Sequence, residues 1–350
     1  MVAAAYFQPE QRITLNTDNR LAMALTAYGM PHTMGYLETR AGESHPAPLG
    51  LTRLMDAACE LGLSAVEAPL SLTPSFDVAP LQEALQSRSL RFIPDFMVLT
   101  EPDVEEIQRF LTTAAALGAP VIRATLSRIL CGDRRLLPGG WDAHLDAVAK
   151  RLNEVLPFAE EVGVCIAVEN HQDASSDDLL HLAEMTGHSP AFGVTLDTGN
   201  PLAVGEGPIE FAERIAPLIR HVHLKDYTIH FAPEGFRLVR CAAGDGVIDF
   251  AAILKIIGAN GHPILPGIEI AAQPTRTIAV LELDWWEHYP PVPATRVVPA
   301  LRILWERGRA ADLPYSSAWE RGEDSATVSA EEWDVVRRSA EYFRSLSPLK

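Results

Sequence analysis

VCIAVENH (164–171), FGVTLDTGN (192–200), IRHVHLKD (219–226) and ILPGIEI (264–270) are the stretches that decide the fold. Each is a short apolar run rich in β-branched residues, and each carries at or near its end a side chain able to do chemistry: Glu169, Asp197, His223 and Glu269. Runs of this length, punctuated by glycine and proline and separated by stretches of helical periodicity, read as strands of repeated βα units. Upstream the same rhythm gives LAMALTAYG (21–29), LSAVEAPLS (63–71), LRFIPDFMV (90–98) and PVIRATLS (120–127), which makes eight strands in all. Between them lie amphipathic stretches at 49–62, 101–118 and 144–163, the last two ending on glycine as helices often do. Eight βα units fit an α/β fold closed as a (β/α)8 barrel, because closure leaves no strand edge exposed. An open, doubly wound sheet is the alternative. Neither GxGxxG nor GxxxxGK[ST], the phosphate-binding loops that commonly accompany such a sheet, occurs in the chain.

The 350 residues, 47% hydrophobic and 21% charged, have the composition of a globular chain able to bury one large core. The expected organisation is an N-terminal extension over 1–20, a barrel over 21–308 and a C-terminal helical tail over 309–350. An eighth helix is expected around 294–308 and one extra helix over 329–346, the tail being a natural element for subunit contact. GESHPAP (42–48), CGDRRLLPGG (131–140) and the long segment 227–247 read as loops. With 29 basic against 46 acidic residues the net charge is -17, which repels phosphate backbones and anionic lipid; no nucleic acid and no membrane partner is expected. Four scattered cysteines without a CxxC pair, no secretory leader and no sustained apolar run point to a cytoplasmic protein with reduced thiols.

In a barrel the active site lies at the C-terminal ends of the strands, where Glu169, Asp197, His223 and Glu269 converge from successive strands. Three carboxylates and an imidazole make a hard, oxygen-rich donor set suited to one divalent ion, Mn2+ or Mg2+ before zinc. A single carboxylate at a strand end serves equally well as a helix cap, so the coincidence of four carries the argument.

With AVENHQD (167–173), TLDTGNPLAV (195–204), HVHLKD (221–226), GDGVID (244–249) and GIEI (267–270) in view, the chain from 21 to about 286 resembles the xylose isomerase-like TIM barrels, the sugar phosphate isomerase and epimerase family. The resemblance implies that Glu169, Asp197, His223 and Glu269 bind one metal ion and that Glu169 and Glu269 serve as an acid and base pair. The implied activity is a sugar isomerase or epimerase, working on a small keto or aldo sugar or sugar acid through a metal-stabilised enediolate. Many epimerases of the family carry a histidine three residues beyond the metal-binding aspartate, where this chain has Asn200. That departure keeps open a lyase of the same barrel family, a dehydratase, decarboxylase or C-glycoside deglycosidase subunit acting on an oxo-sugar. A homo-oligomer is implied for the first reading and a hetero-complex for the second. A third reading is a sugar sensor that keeps the pocket without catalysis.

His171 and Lys225 lie two residues beyond Glu169 and His223, on the same strand faces, and are expected to contact substrate oxygens, as are Asn200 and His32. His144, at the start of the fourth helix, is the candidate additional base of the lyase reading. His221, one layer deeper than His223, reads as a hydrogen-bonded core histidine, and Glu67 and Arg123 as buried structural residues. Trp285, Trp286 and Tyr289 read as packing or a subunit contact.

Overall fold

The computed structural model describes residues 22–72, 78–270, 273–312 and 316–346; the expected N-terminal extension lies outside them. Eight parallel strands close a barrel in the order β1 (Ala24–Thr26), β2 (Ala65–Pro69), β3 (Arg91–Val98), β4 (Val121–Thr125), β5 (Cys165–Glu169), β6 (Phe192–Asp197), β7 (Ile219–Leu224) and β10 (Gly267–Ile268), which returns to β1. All eight fall inside the apolar runs read from the sequence. Helices follow the strands on the outside: α1 (Leu51–Glu60), α2 (Val78–Ser87), α3 (Val104–Ala116), α4 (Trp141–Val162), α5 (Ser176–Met185), α6 (Pro208–Ile215), α7 (Phe250–Ala259) and α8 (Ala294–Arg307).

The inward face of the barrel changes character along its axis. Ala24, Ala65, Ile93, Val121 and Ala167 form a compact apolar cluster within it. Two residues further along the same strands, and therefore on the same face, stand Thr26, Glu67, Asp95, Arg123 and Glu169, all buried. The strands thus carry apolar residues toward their N-terminal ends and mostly ionic ones toward their C-terminal ends.

Local signals fix the elements that frame this end. At α5 the Ser175 hydroxyl accepts from the Asp178 N–H while Asp178 accepts from the Ser175 N–H, a capping box worth about 1 kcal/mol. Asp178 also accepts from Trp141 Nε1 at 3.1 Å and from the fully buried Arg134. The Arg134 guanidinium lies 4.2 Å over the Trp141 ring and 3.8 Å over that of Tyr289, and Tyr289 stacks on Trp285. Trp285 and Tyr289 therefore pack against the 131–140 segment, and Trp286 packs on both of their rings, as a cluster within the chain.

One segment differs from the sequence reading. The stretch 227–247, expected as a loop, contains most of a hairpin: β8 (Asp226–Ala232) and β9 (Gly235–Cys241) pair antiparallel, and β11 (Arg276–Ile278) adds to β9. The reason is local, since DYTIHFA and GFRLVRC both alternate in the period-two manner of strands. The hairpin is anchored by Asp226, whose carboxylate accepts the N–H groups of Tyr227 (2.9 Å), Gly244 (2.9 Å), Gly246 (3.1 Å) and Ile248 (3.1 Å). Gly246 is required there, because a Cβ would collide with the Asp226 carboxylate and the Tyr227 carbonyl. The extra C-terminal helix, α9 (Ser325–Ser345), packs on the barrel through Val335, Val336, Ala340 and Phe343, which belong to the main core. Its buried Glu332 accepts from the N–H groups of His32 (2.9 Å) and Thr33 (2.8 Å), the Thr33 hydroxyl (2.7 Å) and Gln273 Nε2 (2.8 Å).

Candidate metal centre

Glu169 closes β5, Asp197 closes β6, His223 lies one residue before the end of β7, and Glu269 follows β10 directly. Strand register makes Asp197 and His223 cross-strand partners and pairs His223 with Gly267, so the four side chains are brought to one level of the barrel. Each is at most 5% exposed. One donor atom from each of the four lies within 4.8 Å of those of the other three.

His223 is the hub. Its Nδ1 stands 2.7 Å from Glu269 Oε2 and 3.6 Å from Glu169 Oε1, and its Nε2 lies 2.9 and 3.0 Å from the two oxygens of Glu67. Glu67 also takes His221 Nε2 at 2.9 Å and Arg123 Nε at 2.9 Å. Arg123 then reaches Asp95 at 3.0 Å and Glu169 Oε2 at 3.0 Å. On the other side, Lys225 Nζ lies 2.7 Å from Asp197 and 3.5 Å from Glu269. Asn170 braces Asp197 by accepting its N–H at 2.7 Å and donating to its carbonyl at 3.2 Å.

Five buried carboxylates, those of Glu67, Asp95, Glu169, Asp197 and Glu269, thus share a space with two permanent cations, Arg123 and Lys225. The protonation equilibria show the strain of that imbalance. Burial pushes Asp197 up to about 6 despite Lys225, and pushes Asp95 up to about 7 despite Arg123. His223 would lose its charge through burial, but Glu67, Glu269 and Glu169 together hold it charged far above its ordinary value. Burial raises Glu169 and Glu269 as well, yet His223 and Arg123 hold the first below the usual carboxylate range, and Lys225 and His223 hold the second at about 2. Burial keeps His171 below its ordinary value and hence a neutral imidazole at pH 7.

The donor set fits a divalent cation on two grounds. Glu169 Oε1, Asp197 Oδ2, His223 Nδ1 and Glu269 Oε2 are all buried and face one another and Lys225 through ion pairs of 2.7–3.6 Å that lack hydrogen-bond geometry, so each has a lone pair that a cation could take up. A 2+ charge would also offset the surplus of carboxylates. The carboxylate of Glu67 on His223 Nε2 is the arrangement that fixes the tautomer and orientation of a metal-ligating histidine, leaving Nδ1 to face the ion.

The other residues singled out in the sequence are placed as follows. Lys225 joins the cluster directly. His171 Nδ1 and both amide atoms of Asn200 are buried without partners, each following one of the four by two or three residues. His221 is a hydrogen-bonded interior residue, bound to Glu67. His32 is set elsewhere: Nδ1 meets the Leu37 carbonyl at 2.7 Å and Nε2 the Ser325 hydroxyl at 2.7 Å, because the segment after β1 folds against α9. Both ring nitrogens are thereby used. His144 donates Nε2 to the Leu126 carbonyl at 2.9 Å beside Trp141, half-buried; these contacts lie with the segment after β4 rather than with the four. Sequence reading treated Glu67 only as a structural residue, although it orients His223, and it passed over Tyr227 and Arg276 entirely. The alternation of the 226–241 hairpin was the signal available for Tyr227; nothing local marks Arg276.

The family model of the xylose isomerase-like TIM barrel matches residues 55–289, and the chain belongs to that family. A 3-oxo-isoapionate decarboxylase of Pectobacterium atrosepticum is 26% identical over 231 residues, 64% of this chain and 79% of that protein. An inosose dehydratase of Clostridium botulinum is 28% identical over 212 residues, 53% of this chain and 71% of its own length. Among solved structures, a xylose isomerase-like TIM barrel protein from Mycobacterium smegmatis in complex with magnesium superposes with a TM-score of 0.55 over 81% of this chain and 95% of that one, at 16% identity. That likeness concerns the fold. No helix among the described residues is long and apolar enough to cross a membrane.

Proposed function

We propose that this chain is a divalent-metal-dependent lyase that removes CO2 or water from a small oxo-sugar derivative through an enolate. The observation that carries it is the convergence of one buried donor atom each from Glu169, Asp197, His223 and Glu269, joined by the clamp that Arg123 places on Glu169. The four residues hold the ion, Mn2+ or Mg2+, and when bound it supplies Lewis-acid polarisation of the substrate carbonyl.

The chain's own groups account for the remaining work. Glu67 orients His223, Arg123 fixes Glu169, and Asn170 fixes Asp197. His171, as a neutral imidazole, and the Asn200 amide offer donors and acceptors to substrate hydroxyls. Lys225 holds a proton beside the cluster and is placed to pass it to the carbon that loses CO2; in the loss of water that proton goes to the leaving hydroxyl, and Glu169 or Glu269 takes the hydrogen next to the carbonyl whose bonding pair forms the enolate. In the decarboxylation the C–C bond breaks, its electron pair enters the enolate, and that proton completes the new C–H bond.

Two features favour elimination over an exchange of protons between two glutamates. Loss of CO2 opens the enolate without a base, whereas proton exchange needs one with a pKa near neutral, and His223 and Arg123 hold Glu169 below the usual carboxylate range. The two curated relatives reported above carry the names of a decarboxylase and a dehydratase. An epimerase or isomerase is the second reading, favoured by the position of Glu169 and Glu269 on either side of His223 Nδ1.

The test is an NMR time course in D2O with Mg2+- or Mn2+-loaded protein and a panel of 3-oxo sugars, 3-oxo sugar acids and keto sugars. Loss of CO2 or water without back-isomerisation supports the lyase, and a deuterated isomer establishes the second reading. Bound metal with neither product on any substrate would remove both.

A further inference from the structure

The buried face of the β8–β9–β11 sheet brings a second group of polar side chains to the catalytic end of the barrel. β8 begins where β7 ends, one residue past Lys225. Cross-strand pairing sets Tyr227 opposite Arg240, Ile229 opposite Leu238, and Leu238 opposite Arg276, so these five residues share one face. Tyr227, Ile229, Leu238 and Arg240 on that face are at most 2% exposed.

The two arginines on this face are treated differently. Arg240 is matched, with NH2 2.8 Å from Gln273 Oε1 and 3.7 Å from Glu331. Arg276 has no carboxylate within ion-pair distance among the described residues, and its Nε is buried without a hydrogen-bond partner. In a chain with 46 acidic residues, leaving a part-buried guanidinium without a counter-charge is costly unless something else supplies one. The Tyr227 hydroxyl is likewise buried without a partner. Its ring packs against Gly199, the residue before Asn200: a Cβ on Gly199 would stand 2.6 Å from Tyr227 Cε2. Asn200 opens the short helix Asn200–Val204 against which β11 packs, and both of its amide atoms are unpartnered. The Tyr227 hydroxyl lies near enough to Lys225, Asp197, Arg276 and Glu269 for their charges to act on it.

From this placement we infer that Arg276, with Tyr227 and Asn200, forms a socket for a carboxylate carried by the substrate, so that the substrate of this site is a sugar acid. The inference rests on the reading of Glu169, Asp197, His223 and Glu269 as the metal centre, and it adds the residues that select the acidic group. A planar guanidinium matches a carboxylate by two parallel N–H donors, a phenol adds a third, and the Asn200 amide reaches the adjoining hydroxyl. The Lys225 ammonium is engaged by Asp197 and Glu269, which leaves Arg276 as the cation for the incoming anion.

The test uses Mg2+-loaded wild type, Arg276→Ala and Arg276→Lys, with D-erythronate, its neutral counterpart erythritol and D-erythrose 4-phosphate as probes in titration calorimetry. Magnesium affinity and far-UV circular dichroism are measured on the same samples. The expected result is a preference of about 10- to 100-fold for erythronate over erythritol in wild type, lost in Arg276→Ala and kept in part by Arg276→Lys, with unchanged magnesium binding. Equal binding of the acid and the alcohol by metal-loaded wild type, or a preference that survives Arg276→Ala, overturns the inference while the metal centre stands. Tighter, Arg276-dependent binding of the phosphate overturns the carboxylate assignment. Failure of wild type to bind magnesium or manganese instead removes the reading on which the inference rests.

Discussion

Replacing Glu67 by glutamine tests whether the ion network beneath the metal centre orients it. The Glu67 carboxylate receives His223 Nε2 at 2.9 and 3.0 Å, His221 Nε2 at 2.9 Å and Arg123 Nε at 2.9 Å. Glutamine offers one acceptor oxygen to these three donors and turns an NH2 group toward the rest, so His223 loses the partner that fixes its tautomer and ring angle. Loss of such a partner weakens metal binding about 10- to 100-fold, or about 1.4–2.8 kcal/mol. The assay is calorimetric titration of Mn2+ and Mg2+ into EDTA-treated, dialysed wild type and Glu67→Gln, with thermal unfolding of both recorded alongside. Asp95→Asn is the comparison: Asp95 sits in the same buried network, 3.0 Å from Arg123, and makes no hydrogen bond to His223, so its metal affinity should stay within about threefold of wild type. A folded Glu67→Gln protein whose affinity also stays within that range refutes the reasoning, because His223 would then be oriented by something other than Glu67 or would not face the ion.

Asp226→Ala strands the backbone N–H groups of buried Tyr227, Gly246 and Ile248 and of exposed Gly244, and at about 1 kcal/mol for each buried one it should cost about 3 kcal/mol, read as a lower urea midpoint at unchanged slope. Asp173 is pushed up to about 8 by burial, against the Ser127 hydroxyl and Ala174 N–H that favour its charged form. Its folded-state value lies above that of the unfolded chain, so its contribution is complete below about pH 4 and is lost as pH rises toward 8, by at most about 1.4 kcal/mol per pH unit. Asp173→Asn should flatten that slope in urea unfolding between pH 5 and 8; an identical slope in both proteins would show that Asp173 does not set it. Glu332→Ala removes the acceptor for four donors from the segment after β1 and from Gln273, and should cost about 3 kcal/mol and bring forward proteolysis within 325–345. Cleavage at an unchanged rate would mean that α9 is held by its apolar face alone.

The barrel was legible in the sequence because its strands are short apolar runs with punctuation on both sides, a pattern set by burial on two faces and independent of distant partners. The four residues brought together at its mouth were legible for the same reason, since each sits at a fixed place relative to the end of its own strand, and strand ends converge in any closed barrel. What each of them touches was not. His223 pointing one nitrogen at Glu67 and the other at Glu269 depends on register between strands far apart in the chain, and that no local window contains. His32 illustrates the limit from the other side: it follows β1 as His171 follows β5, yet α9, from the far end of the chain, takes both of its ring nitrogens. Arg276 is the sharpest case. As a residue in AAQPTRTIAV it is one more surface-coloured arginine, and only the pairing of β11 with β9 turns it to the buried face that holds Tyr227, where its charge finds no carboxylate partner among the described residues. Periodicity and strand-end chemistry determined the architecture and the donor set; which charges are balanced, and which are left for a ligand to balance, is a property of tertiary contacts and was decided there.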